Sequence, residues 1–449
     1  MSASRFEAFY PPFAWPRITN PRRRHLSIAS AAEATPTRAQ RPTPRVAAVV
    51  APYQDAGHAT ELARLGWRRI AVELAPGLLP QGATPQLHGA FIRTVVHDGL
   101  RRTVRELSAH GVQAVVAGSP AGVPLADQLA HELGVPGNAP SSTAARCDLG
   151  AQSQALADHG VPTPRTLRTT SLVEALSWAE FCALPAYEVT AADTGSASET
   201  RLCRTGQEIS DAWRTVGASA PRRGGSPVLA LREHIPGRRY VVNTFSGHGD
   251  DGTPEHTVTD VWSTTQTTAG ALDRMDLMPR QSLLWRSLSL YTLRVLRALE
   301  VSVGPVRCEV AYAPGRGPVL IKARAYPEVS AAARAVREAL GSDPYRDAVH
   351  GAIVGRRRQP VGSPGPLHLT QVPLLPTEDG HLDRWLLRTL TQLETVTHVD
   401  DALMPQVAVH GGTSPGELVL RHSSAQAIEA DYRVIRAVER LGLYEGGLS

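Results

Sequence analysis

The side chains best suited to chemistry lie on one predicted hairpin in the second half of the chain. Strands are predicted at residues 307–312 and 318–323, with Glu309 on the first strand, Lys322 on the second and Arg324 just after it. A carboxylate such as Glu309 is a good ligand for a hard cation, because Mg²⁺ prefers oxygen. Lys322 is the single lysine of the chain. We predict that it forms an ion pair with Glu309 across the two strands.

Other arrangements that carry chemistry have little support. The histidines show no metal-ligand spacing, and neither a Gly-x-Ser-x-Gly elbow nor a Walker-type glycine-rich loop with lysine is present. The four cysteines are widely separated and contain no CxxC pair, which predicts free thiols, no structural zinc and a reducing compartment. We therefore expect a cytoplasmic protein.

The composition is that of a globular chain. Its 449 residues are 42% hydrophobic and 20% charged, with a net charge of +5, and this length is enough for two or three domains. Almost all basic residues are arginines without interleaved aromatic residues, so a nucleic-acid surface is not predicted. No apolar stretch approaches the roughly 18 residues that a membrane span requires.

The first part of the chain alternates short apolar strands with helices. Strands are predicted at residues 46–50, 70–74 and 114–118, and helices at 59–65, 92–110 and 121–133. Continuous apolar runs are typical of strands buried on both faces, and strand–helix alternation is typical of a parallel sheet. The sequence therefore predicts a Rossmann-like α/β domain at residues 45–140. A loose tail, rich in Pro, Arg, Ser and Thr, is predicted before it at residues 1–44.

The rest of the chain mixes helices with antiparallel strands. Helices are predicted at residues 147–159, 206–216, 282–299 and 425–441, and strands at 186–189, 199–203, 228–231, 240–245, 257–262, 307–312, 318–323, 367–374 and 407–410. Ser423 and Gln426 fit a capping box before the last helix. These elements predict two α+β subdomains, at residues 141–228 and 229–362, and a C-terminal α/β subdomain at 363–449.

The order of these elements resembles the ATP-grasp carboxylate–amine ligases, in particular the amino-acid ligases that join two amino acids into a dipeptide. The likeness extends over residues 46–445. It is carried by strings at residues 117–130, 137–164, 231–243, 258–262, 304–310 and 317–321. The resemblance implies an α/β protein of ATP-grasp architecture, in which a Rossmann-like parallel-sheet domain precedes a lid subdomain and a core subdomain that frame a nucleotide cleft.

The resemblance also implies a reaction, in which a carboxylate attacks the γ-phosphate of ATP and an amine then displaces the acyl phosphate. Such chemistry needs cations on the phosphates, carboxylates that hold magnesium and a donor for the developing oxyanion. ATP and Mg²⁺ are therefore the expected cofactors of an active protein, with no cofactor as the alternative. A small-molecule carboxylate and an amine are the expected substrates.

Several positions of the family pattern carry other residues in this chain. One phosphate-binding lysine is replaced by Leu149, and the lysine on the strand before the glycine-rich loop is replaced by Thr190. The loop keeps Gly195 and Ser196, whose backbone N–H groups would cradle an anion.

The positions that match the metal ligands of the family also carry other residues in this chain. Glu309 matches the first acidic position, but Lys322 stands at the second and Arg324 at the third ligand position. Tyr326 replaces the arginine that holds the acyl phosphate. No catalytic residue is therefore assigned, and Glu309 is the one predicted metal ligand.

Basic residues flank the strand pair that resembles the adenine and ribose frame. Arg232 and Arg239, and also Arg201, would bind phosphate in place of lysine, because arginine binds phosphate with two parallel hydrogen bonds. The alternative is that they are solvated surface arginines. The predicted nucleotide-binding residues are Thr190, Gly195, Ser196, Arg232, Glu233 and Arg239.

Two functions are consistent with these replacements. In the first, the protein keeps the ATP-grasp fold with lost or weakened catalysis and acts as a binding or partner protein. In the second, it is an active, divergent ligase that uses arginines instead of lysines and forms an amide or peptide bond in small-molecule biosynthesis. A structural role unrelated to nucleotides is a third alternative. A protein partner and a homodimer are left open, whereas neither nucleic acid nor a membrane is an expected partner.

Overall fold

The computed structural model describes most of the chain after its first 43 residues. The described residues are 44–53, 56–75, 87, 89–194, 200–220, 222–223, 226–268, 270–327, 331–341, 343–356, 367–400 and 402–445. The predicted tail, apart from residue 44, lies outside them, and so do the predicted site residues Gly195 and Ser196. Within the described part of the chain, no helix is both long enough and apolar enough to cross a membrane.

The N-terminal part is a parallel sheet covered by helices on both faces. Its strands are β1 Val46–Val50, β2 Arg68–Glu73, β3 Arg93–Val96 and β4 Val112–Ala117. Its helices are α1 Gly57–Arg64, α2 Leu100–Ala109 and α3 Val123–Leu133. The strand order is β3-β2-β1-β4, and all pairs are parallel. Alternate residues of β1 pack against α2 and α3 on one face and against α1 on the other. This explains the unbroken apolar run of β1 and confirms the predicted Rossmann-like sheet.

One element of this part was predicted wrongly. Residues 92–110 do not form one helix, because β3 precedes α2. Thr94, Val95 and Val96 are β-branched, which favours a strand, and they pair in parallel with β2. Helix α2 begins only after Gly99, which lies between β3 and α2.

The lid subdomain is an antiparallel sheet with two helices on one face. Its helices are α4 Thr143–Cys147, α5 Leu149–Asp158, α6 Leu172–Cys182 and α7 Gly206–Ser219. Its strands are β5 Thr166–Thr169, β6 Tyr187–Ala191, β7 Arg201–Cys203, β8 Arg222–Arg223, β9 Ser226–Pro227 and β10 Leu229–Glu233. The sheet order is β5-β10-β6-β7, with α6 and α7 packed against it. The helix predicted at 147–159 is interrupted at Asp148, whose carboxylate accepts from the first N–H groups of α5 and caps it.

The core and C-terminal parts share one antiparallel sheet of eight strands. The strands of these parts are β11 Arg238–His248, β12 Pro254–Gln266, β13 Leu272–Leu277, β14 Gly304–Ala313, β15 Gly317–Arg324, β16 His368–Pro373, β17 Gly380–Leu382, β18 Val396–Val399, β19 Ala408–Val409, β20 Glu417–His422 and β21 Tyr444–Glu445. Their helices are α8 Leu283–Ala298, α9 Ala331–Leu340, α10 Pro344–Val354, α11 Arg384–Thr391 and α12 Ala425–Arg440. The sheet order is β15-β14-β11-β12-β13-β16-β20-β18, which leaves β15 at one edge.

The C-terminal segment, predicted as a separate subdomain, adds three strands to this sheet. Its helices α11 and α12 nevertheless have an apolar core of their own, together with β16 and β20. The predicted capping box at Ser423 is displaced by one residue. Ser424 is the residue that caps α12, because its hydroxyl accepts from the N–H of Ala427.

A buried ion pair joins the N-terminal part to the core. The guanidinium of Arg146, which is 1% exposed, lies 2.8 Å from the carboxylate of Asp127 on α3. The same guanidinium donates to the carbonyl oxygens of Leu299 and Glu300, which directly follow α8. One charged group therefore holds together segments that are about 150 residues apart in the chain.

We predict that Arg146→Met strongly destabilises the protein. The substitution leaves the Asp127 carboxylate buried without its cation, and breaking a buried pair in this way costs about 3–5 kcal/mol of the free energy of unfolding. The double variant Arg146→Met/Asp127→Leu should recover a large share of that loss. Urea unfolding measures both, with the exposed Arg433→Met as the control that changes stability little. A single variant as stable as the control would contradict the assignment.

Candidate functional site

The β14–β15 hairpin places the predicted chemistry on one face of the large sheet. Glu309 lies directly opposite Lys322, and Arg307 lies directly opposite Arg324. Opposite residues of an antiparallel pair point to the same face, and so do residues two apart on one strand. These four side chains therefore form one surface, which we call the cationic floor.

The backbone beneath the cationic floor is fixed although β15 is an edge strand. Three side chains from elsewhere bind its outer backbone groups, namely Gln152, Tyr291 and Arg232. Gln152 makes two of these bonds, accepting from the N–H of Ala323 at 2.8 Å and donating to the oxygen of the same residue at 3.0 Å. These side chains replace a missing neighbouring strand, so the edge is satisfied and closed to further pairing.

The cationic floor contains a salt bridge that the sequence did not predict. The carboxylate of Glu309 lies 3.5 Å from Nη2 of Arg324, and the two side chains are 36% and 30% exposed. Lys322 lies opposite Glu309 and lowers its pKa, and the predicted ion pair between the two stays a prediction. The register shifts at a bulge directly after Glu309, and the longer arginine reaches it diagonally.

The charges on the cationic floor shift one another's pKa values. Burial alone would raise the pKa of Glu309, but Arg324, Arg307 and Lys322 outweigh it and hold that pKa below its ordinary value. Burial is the main cause that lowers the pKa of Lys322 to about 8, and Arg324 adds to it, while Glu309 opposes the shift. The two shifts therefore differ in their main cause, which is burial for Lys322 and the neighbouring basic groups for Glu309.

Magnesium does not fit the residues of the cationic floor. A hard divalent cation takes about six oxygen ligands, and Glu309 is the one carboxylate among these four residues. The three neighbouring positive groups add a repulsion that grows as solvent is excluded. Across the part of the chain that the structure describes, no group of three or more His, Cys, Asp or Glu side chains is arranged to hold a metal. The metal-ligand role predicted for Glu309 stays a prediction, and its surroundings oppose it.

A second ionic cluster lies where the lid meets the core. Glu188 of β6 is 5% exposed, and its carboxylate lies 2.7 Å from Arg232, 2.9 Å from His234 and 3.0 Å from Arg239. We call these four residues the hinge cluster. Burial acts to raise the pKa of Glu188, but Arg232, His234 and Arg239 outweigh it and hold the pKa well below its ordinary value. The predicted phosphate-binding residues Arg232 and Arg239 thus bind a carboxylate of the protein itself.

Glu188 was not predicted as a site residue. A signal was present, because Glu188 interrupts an otherwise uncharged strand that is buried throughout. A buried acid requires a cationic partner, and the register of β6 against β10 places Glu188 opposite Arg232.

Glu233 is also bound within the protein. Its carboxylate accepts from the guanidinium of Arg316 at 2.9 Å and from the backbone N–H of Arg165 at 3.1 Å. Arg316 belongs to the turn between β14 and β15, and it donates to the oxygen of Thr163 as well. The segment after β10 is therefore tied to the hairpin that carries the cationic floor.

The two replaced lysine positions lie in uncharged surroundings. Leu149 packs against Ala192 and two further apolar residues of β10 and its approach. Thr190 is buried, and its hydroxyl accepts from the hydroxyl of Thr200 at 3.2 Å. Arg201 lies exposed on β7. Neither lysine position therefore supplies a cation.

Tyr326 joins the end of β15 to the N-terminal sheet. Its hydroxyl donates to the oxygen of Gly118, which follows β4, at 3.0 Å, and its ring lies 5.6 Å from the ring of His58. Both rings line a cavity of about 80 Å³ between the N-terminal sheet and the start of β14. The cavity is lined mainly by apolar residues, and it is smaller than the usual small-molecule pocket of about 300–1,000 Å³.

Solved structures with this architecture confirm the predicted fold. The L-amino acid ligase from Bacillus licheniformis matches with a TM-score of 0.70 and 16% identity, over 88% of this chain and 98% of that chain. The carboxyaminoimidazole ribonucleotide synthase from Aspergillus clavatus, solved with ATP, matches with a TM-score of 0.61 and 12% identity, over 89% and 99%. These proteins are ATP-grasp ligases. The chain therefore has the ATP-grasp ligase fold.

Sequence comparisons add less. No protein-family model matches the chain. An uncharacterized protein, y4rH, from Sinorhizobium fredii (strain NBRC 101917 / NGR234) is 24% identical over 202 residues, which is 43% of this chain. The match spans 42% of the length of that relative, whose name states no activity.

We predict that Glu188→Gln lowers the free energy of unfolding by about 3–5 kcal/mol at pH 7, because it leaves the buried Arg232 and the half-buried Arg239 without their carboxylate. The pKa of Glu188 is lower in the folded state than in the unfolded state. Its stabilisation is therefore complete above the unfolded value of about 4.3 and is lost as the pH falls towards the folded value.

Urea unfolding at a series of pH values tests this prediction. The difference between wild type and Glu188→Gln should shrink below about pH 4. Glu429→Gln is the matched control, because Glu429 pairs with Arg274 at a more exposed position. A difference of less than about 1 kcal/mol at pH 7, or one that stays constant down to pH 3, would show that the hinge cluster does not stabilise the fold.

Proposed function

We propose that this protein is a binding protein built on the ATP-grasp ligase fold, in which the ligase reaction is lost or weakened. The observation that carries the proposal is the cationic floor, where Arg307, Lys322 and Arg324 surround Glu309. Acyl-phosphate chemistry depends on metal ions and cations arranged around a transferring phosphoryl group. A surface that repels divalent cations at this position opposes that reaction.

The nucleotide side of the cleft supports the same proposal. The hinge cluster uses Arg232 and Arg239 for an internal carboxylate, and Glu233 is bound by Arg316.

An active, divergent ligase is the second candidate. It is favoured by the extent of the structural likeness, which covers 98% of the L-amino acid ligase from Bacillus licheniformis. In this candidate function, Glu309 would hold Mg²⁺ and the substrates would be a carboxylate and an amine.

We predict that Mg²⁺ does not strengthen ATP binding to this protein. The test is a thermal-shift titration with ATP in Mg²⁺ and in EDTA, followed by a phosphate-release assay with mixed amino acids. A ligand at 100 times its Kd stabilises the folded state by about 2.7 kcal/mol, which is easily measured. A magnesium-dependent shift together with phosphate release on adding amino acids would establish the ligase candidate instead.

We also predict that Lys322→Glu/Arg324→Asn creates Mg²⁺ binding on the cationic floor. The change replaces two cations by a carboxylate and an amide next to Glu309, and these oxygen ligands suit a hard cation. Isothermal titration with MgCl₂ measures it. Lys322→Gln/Arg324→Gln removes the same positive charges without adding a carboxylate, and it should bind Mg²⁺ more weakly. If the Glu/Asn variant binds no more Mg²⁺ than wild type, the role assigned to the cationic floor is wrong.

A further inference from the structure

We propose that this protein forms a two-fold symmetric homodimer, in which helix α6 of each copy packs against helix α8 of the other. The partner is a second copy of this chain, and the contact is independent of the proposed function. Two exposed helix faces, their charges and their position beside one loop support this contact.

Helix α8 carries exposed leucines and arginines along a single stripe. Its buried side packs into the core of the large sheet through Leu288, Tyr291 and Val295. On the opposite side, Leu283 and Leu290 are 82% and 63% exposed. Residues three or four positions apart lie on one side of a helix, so the two leucines share that side with three exposed arginines. We call this set the α8 stripe, and its members are Leu283, Arg286, Leu290, Arg294 and Arg297.

The arginines of the α8 stripe have no balancing carboxylate. In the part of the chain that the structure describes, none of the three forms an ion pair. Arg294 donates to the carbonyl oxygen of Gly160 at 2.9 Å, which is a neutral acceptor. The guanidinium groups of Arg286 and Arg297 make no hydrogen bond to any described residue. Exposed leucines among unbalanced positive charges favour a partner surface that is both apolar and acidic.

Helix α6 of the lid presents such a surface. Its buried side packs against the lid sheet through Ala175 and Ala179. On its outer side, Val173 is 74% exposed and Phe181 is 88% exposed. Glu180 lies on the same side, seven residues after Val173. We call this set the α6 face, and its members are Val173, Ser177, Glu180 and Phe181.

Glu180 has a carboxylate that a single copy of the chain does not use. Its side chain has no hydrogen-bond or ion-pair partner among the described residues. It lies in the last turn of α6, where the carbonyl oxygens give the helix end a partial negative charge. A carboxylate at that end destabilises a helix, and an arginine from a partner would offset the repulsion. The α8 stripe supplies such arginines, and its leucines suit the exposed Phe181.

The position of the two helices allows the contact to form twice. Tyr291 and Arg294 of α8 donate to the carbonyl oxygens of Pro162 and Gly160, which belong to the loop after α5. Strand β5 and then α6 follow that loop directly, so α6 and α8 lie beside the same short segment.

In a two-fold dimer the same two surfaces of each copy meet at two places. Each copy then contributes the four large apolar side chains of the α6 face and the α8 stripe. The doubled contact matters because a stable interface buries about 1,200–2,000 Å² in total.

Sedimentation equilibrium of the full chain over a range of protein concentrations tests the dimer. Wild type should dimerise, with a dissociation constant that rises at high salt because part of the contact is ionic. Phe181→Ser and Leu290→Ser should each weaken dimerisation about 100-fold or more, because each lost side chain acts twice in a two-fold contact. Trp385→Ser is the matched control, since Trp385 is 67% exposed on α11 and should leave the dimer unchanged.

Charge reversal identifies the two surfaces that meet. Glu180→Arg and the double variant Arg286→Glu/Arg297→Glu should each weaken the dimer about 10-fold or more, because like charges then face each other. An equimolar mixture of these two variants should dimerise again, since each offers the charge that the other lacks. Arg388→Glu on α11 is the control for charge alone. Circular dichroism establishes that every variant is folded, and an arginine at position 180 suits the end of a helix.

The proposal is overturned if wild type stays monomeric up to its limit of solubility. It is also overturned if the α6 and α8 variants dimerise as tightly as their controls, or if the mixture fails to restore the dimer. A monomer that binds vesicles of anionic lipid through the α8 stripe would assign the stripe to a membrane surface and would likewise overturn the proposal. None of these outcomes changes the result of the ATP titration, because the substituted residues belong neither to the cationic floor nor to the hinge cluster.

Discussion

Charge balance in a cleft that is only partly open to water is the constraint on which this structure depends. Basic side chains removed from solvent need a carboxylate nearby, because the cost of an unpaired charge rises as the surroundings become less polar. The hinge cluster satisfies this requirement, since Glu188 contacts three basic groups and is 5% exposed. On the cationic floor, Glu309 lies 3.5 Å from Arg324, and these two side chains are 36% and 30% exposed. The more deeply buried carboxylate, that of Glu188, therefore has the shorter ion pairs.

The two clusters are mechanically connected through Arg232. Its guanidinium binds Glu188 in the lid and the backbone oxygen of Ile321 in β15. The strand that presents Lys322 and Arg324 is thereby fixed by the same residue that neutralises the hinge. Lid and core are further joined by Arg316, which contacts Glu233. Charged side chains here hold the subdomains together, a role that leaves fewer of them to contact a ligand.

The strands of the site could be predicted from the sequence, but not all of its side-chain contacts. The turn between two apolar runs was sufficient to predict the hairpin, and with it the position of Lys322 opposite Glu309. The salt bridge between Glu309 and Arg324 was not predictable, because it depends on a bulge that no local pattern indicates. Glu188 was missed for a related reason, since its partners are 44 to 51 residues away and meet it only in the folded sheet. In the N-terminal part, residues 92–110 were predicted as a helix because the helical periodicity of α2 masked the short β-branched strand before it.

Side-chain cations and a divalent ion do not have the same effect on a bound oxyanion. Both attract an oxyanion, and two strand residues hold it with defined hydrogen bonds. A divalent ion does more, because it coordinates oxygens of the ligand and of the protein at once and stabilises the charge that moves during phosphoryl transfer. Lys322 lies opposite Glu309 on β14, and an ammonium group does not join ligand oxygens to a carboxylate by coordination as a divalent ion does.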